Sequence, residues 1–154
     1  MSNQRTADED LVDSDHTHQP ERSGWTAVPV LGVRDVKKVA EYWRDVLGFD
    51  LDADHGVFGV EGDESGGVYA IVSRDGCVVH FQIRRGPQDE RRREHIETDV
   101  YIHVDDVDRV YEELTRRGAA IWDPPSVAPY GQNEIRVEDC VGHRLTFGSP
   151  AEGR

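Results

Sequence analysis

Apolar positions along the chain follow two alternating rhythms, and the same pair of rhythms is written twice. The stretch "VPVLGVRDVKKV", residues 28–39, is matched 71 positions later by "DVYIHVDDVDRV", residues 99–110, with Val33/Val104, Asp35/Asp106, Val36/Val107 and Val39/Val110 in register. In the second copy Val100, Ile102 and Val104 alternate with Tyr101 and His103, which is the period of a half-buried strand. Val107, Val110, Tyr111 and Leu114 then fall at i, i+3, i+4 and i+7, the stripe of an amphipathic helix. Asp105 or Asp106 is placed to cap that helix and Gly118 to end it. In the first copy Asp35 is the cap, Val36, Val39, Ala40, Trp43 and Leu47 form the stripe, and Gly48 closes it. Trp43 is therefore expected in the core.

Strands are expected after each helix. "HGVFGVEG", "GVYAIVSRDG" and "CVVHFQIRR" follow the first, with Asp75-Gly76 as a hairpin turn signal. "AAIWD", "NEIRVED" and "HRLTFGS" follow the second. The closing strands match again, "GCVVHF" (76–81) against "GHRLTF" (142–147). The pattern predicts an α+β fold of two βαβββ units, residues 25–86 and 97–149. A lone unit leaves its sheet edges open, so units must pair within or between chains.

These stretches, together with "LGVRDVKKVAEYWRDVLGF" and "YGQNEIRVEDCVGHRLTFG", resemble the vicinal oxygen chelate superfamily. That superfamily holds glyoxalase I, bleomycin-resistance proteins, fosfomycin-resistance enzymes and extradiol dioxygenases. The resemblance covers about Trp25 to Ser149, and it is closest to the metal-free, bleomycin-resistance-like branch. It implies that the curved mixed sheets of the two units form a cup with the helices outside. One departure is the turn before the last strand. Such proteins usually have Asp-Pro-Asp-Gly there, and this chain has Asp139-Cys140-Val141-Gly142. Gly142 is retained, so the turn is expected to persist.

The resemblance also implies metal positions on the first and last strand of each unit. Carried over, they fall on Val28, His80, Asp99 and Thr146. Valine cannot ligate and a threonine hydroxyl is a poor ligand, so too few donors remain for zinc, nickel, manganese or iron. No metal and no other cofactor is expected. A non-standard site from His80, Asp99 and His103 is the alternative, serving a metal-dependent lyase, isomerase or dioxygenase. A third reading makes His80 and Asp99 an acid–base pair in a metal-free enzyme. The leading expectation is a binding protein, with no catalytic residue assigned. His80, Gln82, Asp99, Tyr101, His103 and Thr146 would line its cup, and Trp122 and Tyr130 from "WDPPSVAPYG" would rim it. Aromatic faces with a carboxylate suit a small, flat or cationic guest, and drug sequestration fits them. The resemblance and the open edges both imply a homodimer.

Composition narrows the classes. Residues 1–24 carry six acids, two arginines and almost nothing to bury, and are expected to be a disordered acidic tail. This stretch has neither the basic start nor the apolar run of a signal peptide. No segment reaches membrane-spanning length, and a cytoplasmic setting is expected. The net charge of −13 disfavours nucleic acid and anionic membranes as partners. "RRGPQDERRREHIE", with Arg84, Arg85, Arg91, Arg92 and Arg93, reads as an exposed linker. Cys77 and Cys140 show no metal-binding spacing and are expected as reduced structural residues.

Overall fold

A computed structural model describes residues 24–51, 57–58, 67–86 and 98–151. The expected tail apart from Gly24, the arginine-rich stretch beyond Gly86 and the last three residues lie outside this set. The chain folds as β1 (Val30–Val33), α1 (Val36–Asp45), β2 (Asp50–Leu51), β3 (Val57–Phe58), β4 (Tyr69–Arg74), β5 (Cys77–Ile83), β6 (Val100–His103), α2 (Val107–Arg116), β7 (Ala120–Val127), β8 (Gln132–Glu138) and β9 (Arg144–Pro150).

Both helices begin where the caps were expected. The Asp35 side chain accepts from the Lys38 backbone N–H at 3.0 Å. At α2 it is Asp106 that caps, accepting from Asp108 and Arg109. Val36, Val39, Ala40, Trp43 and Leu47 are all buried, as are Val107 and Leu114. Val110 and Tyr111 pack at the margin. Phe49 and Phe81 meet the Trp43 ring edge-on at 5.0 and 5.2 Å between centroids.

The two sheets repeat one topology. The first runs β1-β5-β4-β2, with β3 also on β4, and the second runs β6-β9-β8-β7. In each, the first strand pairs parallel to the last, Val30 opposite His80 and Tyr101 opposite Thr146. These pairs are related by the same offsets that relate the sequence repeats. The fold is thus α+β, built of two βαβββ units. Asp75 and Gly76, both at positive φ, make the expected two-residue hairpin turn between β4 and β5. Gly142, at φ 85°, donates its N–H to the Asp139 carbonyl, so the altered turn persists.

One strand differs from expectation. The run "AAIWD" does not stop at Asp123, because β7 continues through Pro124 and Pro125 to Val127 with two register shifts against β8. As an edge strand it tolerates residues that cannot donate outward. Strand β2 was not expected from the sequence.

Polar contacts tie the units together on their helix side, among them an Arg117 guanidinium N–H donated to the Asp45 carbonyl at 3.3 Å. The Trp43 indole of α1 donates to Asp139 in the second unit at 3.1 Å. Arg74, in the first unit's hairpin, pairs with Glu113 of α2 and also donates to the Leu47 carbonyl. A cavity of about 350 Å³ lies at this junction, between Leu47, Phe49 and Cys77 on one side and Ile102, Val110 and Leu114 on the other. Among the described residues, no helix is long and apolar enough to cross a membrane.

Candidate functional site

Each sheet turns its core residues toward a helix and leaves the alternate residues on a helix-free face. On β6, Val100 and Ile102 are buried, so Tyr101 and His103 emerge on the free face. On β8, Ile135 and Val137 are buried against the helix side, which sends Glu134, Arg136 and Glu138 to the same free face. Thr146 and Gly148 of β9 lie between these strands in register.

A hydrogen-bonded cluster occupies the middle of this face. The Tyr101 hydroxyl donates to Glu134 Oε1 at 2.7 Å, and the Tyr130 hydroxyl donates to the same oxygen. Tyr101 reaches Glu134 by lying across β9 at Gly148, where an added Cβ would sit 2.0 Å from the phenol oxygen. The ring of His103 lies 5.0 Å from that of Tyr101. Burial, followed by the hydrogen bond and charge of Glu134, pushes the Tyr101 phenol up to about 12. The Tyr130 phenol is also raised, first by its hydrogen bond to Glu134 and then by burial.

Beside this cluster stands Trp122, 45% exposed. The guanidinium carbons of Arg136 and Arg144 lie 5.4 and 4.6 Å from its ring centroid. Arg144 also pairs with Glu138 at 3.2 Å. The ring that was expected to face a cationic guest already has two cations as neighbours.

The remaining expected residues divide between the sheets. His80 and Gln82 sit on the free face of the first sheet. His80 Nδ1 is hydrogen-bonded to the Tyr69 hydroxyl at 2.7 Å, with the rings edge-on. Asp99 precedes β6, and its Oδ2 accepts from the Arg144 backbone N–H at 2.8 Å. The Thr146 hydroxyl shares a 2.7 Å hydrogen bond with Thr98. His80 and Asp99 are not bonded to each other, so the pair envisaged for acid–base chemistry is not assembled within these contacts. Among the described residues, no hydrogen bond or ring contact links the free face of the first sheet to that of the second.

The donor set does not fit the family's metal. The Val28 side chain has no donor atom, Thr146 and Asp99 are engaged with Thr98 and Arg144, and Tyr101 separates Asp99 from His103 along their face. Among the described residues, no three His, Cys, Asp or Glu side chains come close enough together to hold an ion. Both cysteines are free, and burial raises both thiols above the usual value.

Tyr69, Glu134, Arg136 and Arg144 belong to these faces and were not expected. A signal for Glu134 was present, since alternation in "NEIRVED" places it opposite Ile135 and Val137. Tyr69 was reachable by counting back from the Asp75-Gly76 turn, which sets Ile71 opposite His80 and Tyr69 opposite Gln82.

Similar folds occur in solved structures. The bleomycin-binding protein from bleomycin-producing Streptomyces verticillus, complexed with copper(II)-bleomycin, aligns at 27% identity and TM-score 0.61, over 81% of this chain and 95% of that one. TioX from Micromonospora sp. ML1 aligns at 22% identity and TM-score 0.59, over 84% of this chain and 99% of that one. A glyoxylase/bleomycin resistance protein/dioxygenase domain from Frankia sp. EAN1pec gives 21% identity and TM-score 0.60, over 86% and 95%. No curated protein matches the chain. The sequence profile of one family matches residues 22–147, and the chain belongs to that family, the Glyoxalase/Bleomycin resistance protein/Dioxygenase superfamily.

Proposed function

We propose that this protein binds a small, largely planar molecule on the helix-free faces of its sheets, without a metal of its own, and holds it without transforming it. The observation that carries the reading is the second sheet's free face. There Tyr101 and Tyr130 donate to one carboxylate, and the His103 ring lies beside Tyr101. Trp122 stands by Arg136 and Arg144, with no nucleophile or metal donor set among these described residues. Aromatic rings with a few placed polar groups are what a small-molecule site requires. His80, Gln82 and Tyr69 on the first sheet, with Asp99 and Thr146 at the second sheet's β6–β9 side, supply the other polar contacts. Because no hydrogen bond or ring contact among the described residues joins the two free faces, the cup is completed by a second copy. The two free thiols suit a reducing cytoplasm.

Bleomycin is the first ligand to test, since the bleomycin-binding protein from Streptomyces verticillus resembles this chain. Calorimetric titration is expected to give binding tighter than about 100 μM, with quenching of Trp122 fluorescence. Binding is expected to weaken as salt rises, because the acidic protein draws cations inward. Absence of binding by bleomycin and its relatives sinks the sequestration reading. One equivalent of zinc, nickel, manganese or iron per chain after purification, lost on His80→Ala, would put a metal-dependent lyase, isomerase or dioxygenase in its place.

A further inference from the structure

Glu134 carries an opening that the rest of the site does not use. Its residue is only 7% exposed, yet both phenols that reach it donate to the same oxygen, Oε1. Among the described residues Oε2 accepts no hydrogen bond, and no fully enclosed side-chain oxygen is left unpartnered, so Oε2 still meets solvent on the free face. An ionised carboxylate offers about four lone-pair positions, and donors at one oxygen leave the other's available. Two other acids of this sheet are already engaged. Asp99 accepts from the Arg144 backbone and Glu138 pairs with the Arg144 side chain. Trp122, with two guanidinium groups around it, does not invite a third cation.

We propose that Glu134 Oε2 is the acceptor for a cationic N–H group of the ligand, an amidinium or protonated amine, while Tyr101 and Tyr130 anchor Oε1. This rests on the binding reading above and moves the charge-recognising role from Asp99 to Glu134. Gly148 belongs to the device, since only a residue without Cβ lets Tyr101 cross β9 to brace the carboxylate. Trp122 and its arginines then border the neutral, planar part of the guest.

The test compares two flat probes of one shape, benzamidinium and neutral benzamide, alongside bleomycin, by calorimetry and ligand-observed NMR. Wild-type protein is expected to prefer benzamidinium over benzamide by about tenfold to a hundredfold, the worth of one charged hydrogen bond. Glu134→Gln keeps a carbonyl oxygen for the two phenols and replaces Oε2 by an N–H donor. It is expected to abolish that preference and to weaken bleomycin by a similar factor, leaving benzamide affinity within about twofold. Should that variant be too unstable to measure, Glu134→Asp, which withdraws the charge by one methylene, is expected to lose the preference too. Glu112→Gln, on the exposed side of α2, is the control and is expected to change nothing. Retention of the benzamidinium preference in the Glu134 variants overturns this inference alone. Failure of wild-type protein to bind either probe or bleomycin overturns it together with the binding reading.

Discussion

Single residues in this protein do work that their neighbours in sequence do not announce. Asp139 sits in the turn before the last strand, yet its carboxylate accepts from the Trp43 indole of the other unit, from the backbone N–H groups of Val141 and His143, and from His143 Nδ1 at 2.7 Å. Burial pulls the Asp139 carboxyl upward. The hydrogen bond and charge of His143, with the indole, outweigh that pull and hold it below the usual carboxylate value. The sign follows from the depressed folded value. The stabilisation is present above the unfolded carboxylate value of ~3.9 and is lost as pH falls through the folded one. Asp139→Ala is therefore expected to cost about 3 kcal/mol at neutral pH and to flatten the acid-side loss of stability. Urea midpoints measured from pH 6 down to pH 2 check both parts, and an unchanged acid limb would remove Asp139 from the account.

At the scale of elements, local chemistry decides where each begins. Asp35 and Asp106 stand at equivalent places in the repeat and both cap a helix. The cap at Asp106 matters beyond α2, because the first N–H of that helix, on Val107, donates to the buried Ser149 hydroxyl of β9. Cap and strand together seat α2 behind the free face that carries Tyr101 and Glu134. Asp106→Ala is expected to destabilise the protein by about 1 kcal/mol, read as a lower denaturation midpoint, with Asp106→Asn recovering most of it. Strand β7 is the counterexample. Its prolines punctuate the sequence like a loop, and only pairing along a sheet edge makes them strand.

The whole molecule is two copies of one idea held by a small set of contacts. Trp43 with Asp139 and Arg74 with Glu113 join hairpin to helix in both directions across the units. These contacts are on the helix side and involve neither the sheet edges nor the free faces. Val30, Tyr101 and Trp122 are 50%, 38% and 45% exposed on those faces, more apolar surface than a finished cup leaves bare. A second copy is expected to cover edges and faces at once, with a symmetric contact. Light scattering on dilute protein is expected to give about twice 17.4 kDa. A clean monomer at micromolar concentration would count against the shared cup.

Both helices, most of the strands, the duplication, the Asp35 cap, the α2 cap to within Asp105 or Asp106, the buried stripe through Trp43 and the family itself were legible in the sequence. Each depends on spacing along the chain: period two for strands, 3.6 for helices, a glycine where φ turns positive. Which residue of each face points outward was legible for the same reason. The partners of those side chains were not, because hydrogen bonds join residues distant in sequence through strand register and the packing of one unit on the other. Folding alone placed Tyr69 on His80, turned Asp99 to the Arg144 backbone, set two arginines around Trp122 and aimed two phenols at one oxygen of Glu134.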